Sequence, residues 1–88
     1  MKIPDRVKAF ILGEAPADRR RLIGLLERIQ EDPLIGTYLA FPYQPGTFGI
    51  TLDEKYFITY RTTVDGVDLG AITRMLDFET LVRYLQEG

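Results

Sequence analysis

The sequence predicts one α+β domain, with an N-terminal helical hairpin packed on a small antiparallel sheet of about four strands and a C-terminal helix. Two observations indicate this class. Two segments with helical spacing of apolar residues precede several strand-like segments, and a further helical segment follows them. Asp65-Gly66 stands between two of the strand-like segments and is typical of a tight hairpin turn. With 88 residues the chain has room for one core, so residues 1–88 are expected to form one domain.

Composition narrows the chemistry. Hydrophobic residues make up 45% and charged residues 27%, as in globular proteins, and there is no cysteine or histidine. Disulfides, thiolate or imidazole metal ligands and the commonest general base are thereby excluded, and no cofactor is expected. No apolar run is long enough to cross a bilayer and the start is unlike a signal peptide, which predicts a cytoplasmic protein without membrane contact. A net charge of -2 disfavours RNA as a partner without excluding it.

The two N-terminal helices follow from apolar spacing and helix-terminating residues. Val7, Phe10 and Ile11 share one face of a short helix that runs from Asp5 to Leu12 and ends at Gly13. The second helix begins near Pro16, which suits the first helical position, and ends at Asp32-Pro33. Its apolar stripe is formed by Leu22, Leu25, Leu26 and Ile29.

Strands are predicted near 37–41, over 48–52 and over 55–63, the last leading into the Asp65-Gly66 turn. A two-residue type I′ loop there would place Val64 opposite Val67. The same register places core-side residues opposite one another in three further pairs, Thr62 with Leu69, Tyr60 with Ala71, and Ile58 with Thr73.

The final helix is predicted from Asp77, which is suited to the N-cap position. A hydrophobic staple is expected between Leu76 and Leu81. The buried face of this helix is predicted to consist of Phe78, Leu81, Val82 and Leu85.

This order of elements, with three local segments, resembles the RelE/ParE superfamily of bacterial toxins from toxin-antitoxin pairs. The segments are residues 25–33, a helix ending before Pro33; residues 56–62, the strand Tyr-Phe-Ile-Thr-Tyr-Arg-Thr; and residues 72–74, a strand end closing on Arg74. The resemblance covers most of the chain. It implies a strand before the first helix, for which only residues 1–4 are available, so that strand is expected to be missing or vestigial.

The translation-blocking branch of this family uses Lys and Arg on the exposed sheet face to cleave mRNA on the ribosome. The nearest positions here are Gly49, Thr51 and Phe57, which cannot neutralise a phosphate. What the resemblance leaves is Arg74 and, in the final helix, Tyr84. Most of the ribonuclease site is therefore expected to be absent.

The predicted hairpin places Arg61, Asp68 and Arg74 on its open face as a candidate binding group for a phosphate or an acidic partner segment. A solvated ion pair between Arg61 and the diagonal Asp68 is the alternative. Arg61, Arg74 and Tyr84 are the catalytic candidates, and whether the protein is an enzyme stays open.

Two other groups have a functional and a structural interpretation. Arg19, Arg20 and Arg21 could form a basic patch or a solvated helix face. The aromatic residues of the Gly- and Pro-rich middle could stack on bases, hold a partner helix, or fill the core; they are Tyr38, Phe41, Tyr43 and Phe48.

The leading hypothesis is a RelE/ParE-like protein of a toxin-antitoxin module that acts by protein contact, with an antitoxin-like or target protein as partner and a homodimer as an open possibility. The first alternative is a ribosome-dependent mRNA endoribonuclease with a divergent site. The second is a small regulatory or interaction domain unrelated to toxins.

Overall fold

The computed structural model describes residues 1–75, 83, 85 and 86. Helices α1 (Asp5–Leu12) and α2 (Pro16–Glu31) precede four strands, β1 (Thr37–Tyr38), β2 (Thr47–Leu52), β3 (Tyr56–Thr63) and β4 (Gly66–Arg74). The α+β class, the helical hairpin and the four-stranded antiparallel sheet are confirmed. The predicted C-terminal helix, with its N-cap Asp77 and the candidate Tyr84, lies mostly outside the described residues. Leu85, expected on its buried face, is exposed because none of the described helices or strands covers it.

Both helices begin and end where the sequence predicts. The N–H of Gly13 donates to the carbonyl of Ala9 at the end of α1, and Pro16 occupies the start of α2. At the end of α2 the N–H of Asp32 still donates to Arg28, and Pro33 then prevents continuation. Among the described residues, no helix is long and apolar enough to cross a membrane.

The sheet is a simple meander in the order β1-β2-β3-β4, antiparallel throughout. Lys2 adds one parallel bridge outside β4, in which its N–H donates to Val67 and its carbonyl accepts from Leu69, both at 2.9 Å. The strand expected before the first helix is therefore vestigial, reduced to a single bridging residue.

The predicted type I′ turn at Asp65-Gly66 is wrong by one residue. Thr63 lies opposite Gly66, so the two loop residues are Val64 and Asp65. The Thr63 hydroxyl accepts from the N–H of Asp65 at 3.2 Å and donates to the carbonyl of Gly66 at 3.3 Å, which stabilises this alternative loop. Positive φ at two successive loop residues occurs in the preceding β2–β3 turn instead, at Asp53 (55°) and Glu54 (53°).

A β-bulge at Gly70 changes the register again within the same hairpin. Tyr60 lies opposite Leu69 and Thr59 opposite Ala71, so Gly70 has no cross-strand partner. The Thr59 hydroxyl accepts from the N–H of Ala71 at 3.1 Å, and a Cβ on Gly70 would come within 2.7 Å of that hydroxyl oxygen. Any larger residue would force the Thr59 side chain to move, so glycine is favoured in this bulge.

The loop and the bulge together decide which predicted core residues are buried. Ile58, Tyr60 and Leu69 are buried as expected, whereas Val64 is fully exposed at the hairpin tip. Beyond the bulge the alternation reverses, so Ala71 and Thr73 are exposed and Ile72 packs against the core. All four predicted pairs are therefore wrong, because Val64 lies in the loop and the actual pairs are Thr62 with Val67, Tyr60 with Leu69 and Ile58 with Ile72.

The core lies between the two helices and one face of the sheet. Tyr60 is at its centre, where its ring stacks on Phe48 at a centroid distance of 5.6 Å. The Tyr60 hydroxyl donates to the carbonyl of Pro33 at 2.8 Å and accepts from the N–H of Gly36 at 3.0 Å. One buried side chain thus fixes the connection from α2 to β1.

Candidate functional site

The structure separates the group predicted from Arg61, Asp68 and Arg74. Arg61 lies directly opposite Asp68 on the open face of the sheet, not diagonal to it. Arg74 lies opposite Tyr56 and has moved to the helix-covered side, because the bulge at Gly70 shifts the alternation of β4 by one residue. The predicted common face is therefore wrong for Arg74, while Arg61 and Asp68 remain neighbours.

Arg74 belongs to a polar cluster beside the α1–α2 loop. Its guanidinium donates to one carboxylate oxygen of the buried Glu14, and the Tyr56 hydroxyl donates to the other oxygen at 2.9 Å. Burial, followed by the hydrogen bond and the negative charge of Glu14, raises the pKa of Tyr56. The guanidinium also lies 5.3 Å from the centroid of the Phe10 ring. These contacts attach the last strand to the helical hairpin.

The open face of the sheet has little charge apart from the opposed pair Arg61 and Asp68. Gly49, Thr51 and Phe57, which stand where the ribonucleases carry basic residues, lie on this face. Thr51 pairs with Phe57, and Gly49 pairs with Thr59. A shallow cavity of about 310 Å³ reaches Arg61 from the segment 42–44 and is bordered by the hydroxyl-bearing Thr47 and Thr59. The arrangement suits binding of a small polar group, since Arg61 has no ion pair within the described part of the chain.

The three successive arginines do not form one basic patch. Arg19 donates to the carbonyls of Leu12 and Glu14, both at 3.2 Å, and Arg21 pairs with Asp53 in the β2–β3 turn. Arg20 is left exposed on α2. Two of the three cations therefore serve local structure.

Most aromatic residues of the middle segment are exposed, although they were predicted to fill the core. Phe48 packs against the core, but Tyr38 contacts it only edge-on and is 57% exposed. Phe41 is 95% exposed and Tyr43 is 47% exposed. Core filling is thus correct for one residue of the four.

These exposed rings and the exposed Leu34 belong to the ten-residue segment 34–43, which contains the edge strand β1, and Tyr43 also borders the cavity at Arg61. We call the four exposed side chains of this segment, Leu34, Tyr38, Phe41 and Tyr43, the aromatic edge. The loop that carries Phe41 is held in place by backbone hydrogen bonds from Leu39 to Thr47 at 2.9 Å and from Tyr43 to Ala40 at 3.1 Å.

The aromatic edge could be anticipated only in part from the sequence. The glycines and prolines of residues 36–46 indicate a loop, and large apolar side chains in a surface loop are a signal of recognition. Leu34 gave no such signal, because its exposure depends on the bend after Pro33.

In the described part of the chain, no three Asp or Glu side chains gather closely enough to hold a metal ion. Comparison of the chain with protein-family models, with curated proteins and with solved structures finds no match.

Proposed function

We propose that this chain is a RelE/ParE-like component of a toxin-antitoxin module that acts in the cytoplasm by binding a protein, with the aromatic edge as its contact surface. The observation that carries the binding role is the exposure of four large apolar side chains within ten residues of chain at one edge of the sheet. Exposed apolar patches of this kind mark interaction sites in small proteins.

The arrangement of the chain supports the proposed ancestry. Two helices joined by a short loop precede a meander whose last strand ends on Arg74, in the order that the resemblance implies. The single bridge at Lys2 stands where a first strand is expected.

The open face supports protein contact over RNA cleavage. Gly49, Thr51 and Phe57 supply none of the cations that a ribonuclease needs near the scissile phosphate, which leaves Arg61 alone at the cavity on this face among the described residues. Arg74 donates to Glu14 on the helix-covered side of the sheet, whereas Arg61 lies on the open face. The two guanidinium groups therefore cannot act together on one phosphate. A divergent ribonuclease would have to depend on Arg61 and on Tyr84.

The chemistry of the aromatic edge favours a protein partner. Burying one such side chain contributes about 2 kcal/mol, and aromatic residues dominate the binding free energy of many interfaces. Because β1 is an edge strand of two residues, its outer backbone groups can also pair with an extended segment of the partner. The partner we expect therefore combines an extended stretch with apolar side chains.

The test produces this chain together with the product of the neighbouring reading frame in the genome, which the proposal requires to be a small protein that binds it. We expect a stable complex that Phe41→Ser and Tyr38→Thr each weaken about tenfold or more, measured by titration calorimetry. Val64→Ser is the matched control, since Val64 is as exposed as Phe41 but lies at the tip of the other hairpin. Equal affinity of Phe41→Ser and wild type would overturn the assigned surface.

A translation extract distinguishes the ribonuclease alternative. We expect the wild-type protein to leave ribosome-bound mRNA intact. Cleavage that disappears in Arg61→Ala would instead assign the activity to the open face and reject action by protein contact alone.

A further inference from the structure

A cleft lined by arginines extends along α2 to the end of β2. Its volume is about 510 Å³, and Arg20, Arg21, Gly24, Arg28 and Leu52 are among the residues that line it. We call it the arginine cleft. The described residues that line it include no aspartate or glutamate, although the chain has a net charge of -2. The cleft is therefore a local region of positive charge on an acidic protein.

Two of these arginines are available to a ligand. Arg21 already pairs with Asp53. Arg20 and Arg28 are exposed, and neither guanidinium has a hydrogen bond or an ion pair among the described residues. Arginine binds carboxylates and phosphates through paired hydrogen bonds, so the cleft suits an anionic ligand.

Gly24 lies in the interior of α2, where glycine is less favourable than any residue except proline. A Cβ at this position would meet nothing within 4 Å, so packing within the described part of the chain gives no reason for a glycine here. The missing side chain instead leaves room at the cleft for a bound molecule to approach the backbone of α2 closely.

The positions of these residues along α2 indicate the shape of the ligand. Arg20, Gly24 and Arg28 follow one another at intervals of four residues, so they lie along one side of the helix. Each interval rises about 6 Å, which places the two arginines about 12 Å apart along the axis with the glycine between them. An elongated ligand with two separated anionic groups matches this row better than one compact anion.

We propose that the arginine cleft binds an acidic α-helix of another protein. One carboxylate of that helix pairs with Arg20, a second pairs with Arg28, and a small residue between them lies over Gly24. Two glutamates that are two turns apart are separated by about 11 Å along a helix, close to the spacing of the two arginines. The glycine lets the two helix axes approach, and the apolar side chain of Leu52 extends the contact.

Two physical arguments favour a helix over other elongated anions. A helix satisfies its own backbone hydrogen bonds, whereas the interior of α2 offers no free backbone groups to an extended segment. Nucleic acid is the other elongated anion, but the net charge of -2 gives the chain no general attraction to phosphates.

Titration of isotope-labelled protein with a synthetic helix, followed by NMR at physiological ionic strength, tests the proposal. The probe is a peptide of alanine and glutamine, about 16 residues long so that it forms a helix, with two glutamates two turns apart on one face. The matched peptide has the same composition, with its two glutamates on opposite faces. We expect a saturable shift of the Gly24 amide resonance with the first peptide and a dissociation constant at least about fivefold higher with the second.

Charge variants assign the contact to the two arginines. Arg20→Glu and Arg28→Glu should each raise the dissociation constant about tenfold. A peptide with lysines in place of both glutamates should bind Arg20→Glu/Arg28→Glu and should not bind the wild type. Lys8→Glu is the control, since Lys8 is exposed on α1 outside the cleft, and it should leave the constant within about twofold.

Gly24→Leu separates binding from folding. The leucine side chain occupies the space at the cleft, so binding should weaken about tenfold. The midpoint of thermal unfolding should not fall, because leucine favours the helix and its Cβ meets no neighbour. A change that lowers affinity without lowering stability is not expected of a glycine with a purely structural role.

Three results would overturn the proposal. They are the absence of a saturable shift at Gly24 with millimolar peptide, equal affinity for the two peptides, and tighter binding of a single-stranded oligonucleotide than of the first peptide. Phe41→Ser should bind the peptide as the wild type does, because Phe41 does not line the cleft. The outcome is therefore separate from that of the contact proposed at the aromatic edge.

Discussion

Arg74 at the end of β4 donates a hydrogen bond to the buried carboxylate of Glu14 in the loop between α1 and α2. The side chain of Glu14 is only 7% exposed, and its second oxygen accepts from Tyr56. A buried carboxylate is tolerated when its oxygens are bonded in this way, and it becomes costly when one partner is removed. The contact therefore holds the sheet and the helical hairpin together, and the stability of the fold should be sensitive to the loss of either partner of Glu14.

Arg74→Met is expected to destabilise the protein by about 2 kcal/mol, because it leaves the Glu14 charge buried with one partner fewer. The loss should be smaller in Arg74→Met/Glu14→Gln, where no charge remains buried. Urea unfolding of the wild type, the two single variants and the double variant measures the coupling free energy between Arg74 and Glu14. Arg61→Met is the control, since Arg61 is exposed and has no ion pair among the described residues. Equal losses for Arg74→Met and Arg61→Met would contradict the assignment.

The position of Arg74 also illustrates what the sequence could predict. Helix limits follow from local residues such as Pro16 and Pro33, and these predictions are confirmed. The face on which Arg74 lies depends on an extra residue at Gly70, and that bulge is stabilised by the Thr59 hydroxyl from another strand. A contact between strands leaves no signal in the spacing of apolar residues along either strand. A strict two-residue alternation therefore predicts the wrong face for every position of β4 beyond the bulge.

The aromatic edge shows the same limit for burial. Tyr38, Phe41 and Tyr43 are residue types that usually fill a core, yet all three are exposed and Phe48 packs inward. The path of the chain after Pro33 decides between these positions. Hydrophobicity alone therefore could not distinguish the proposed binding surface from the interior.

Stability should fall in alkaline solution, because burial raises the pKa of both Tyr56 and Tyr60 above the usual value of about 10. Below about pH 9 both phenols are protonated in the folded and the unfolded chain, and stability is unaffected. As the pH rises further, the unfolded chain loses its phenolic protons first, so the free energy of unfolding decreases until the folded-state pKa values are passed.

The check is the slope of the free energy of unfolding against pH above about pH 9. Tyr60→Phe should reduce that slope as well as the stability at neutral pH, where it loses two hydrogen bonds. Ile58→Val, a destabilising change at a buried position beside it that removes no titrating group, should retain the full slope. An unchanged slope in Tyr60→Phe would show that Tyr60 does not contribute.

Two glycine substitutions should have opposite effects. A Cβ added at Gly24, in the interior of α2, meets nothing within 4 Å, so Gly24→Ala should stabilise the protein by about 0.5 to 1 kcal/mol through helix propensity. At Gly36 a Cβ would lie 2.8 Å from the Tyr60 hydroxyl and 2.9 Å from the carbonyl of Gly49, so Gly36→Ala should cost about 2 kcal/mol. Thermal unfolding of both variants gives the comparison. A stable Gly36→Ala would contradict the close approach of β1 to the core.

The β2–β3 turn offers a stabilising change that the β3–β4 loop does not. Glu54 has a φ of 53°, a left-handed conformation that costs a side-chain-bearing residue about 1 kcal/mol and glycine almost nothing. Glu54→Gly should therefore raise the free energy of unfolding by up to about 1 kcal/mol, while the Lys55 to Leu52 backbone hydrogen bond at 2.9 Å keeps the turn closed. Asp53 is less suitable for the same change, because its carboxylate pairs with Arg21.

Val64→Gly is the matched control for this turn. Val64 occupies the first position of the two-residue β3–β4 loop but has no positive φ, so glycine there only increases the entropy of the unfolded chain and should destabilise by about 0.5 kcal/mol. Urea unfolding at neutral pH distinguishes the two variants by sign. A gain at Val64, or a loss at Glu54, would place the left-handed turn in the hairpin where the Asp65-Gly66 pattern predicted it, rather than at Asp53 and Glu54.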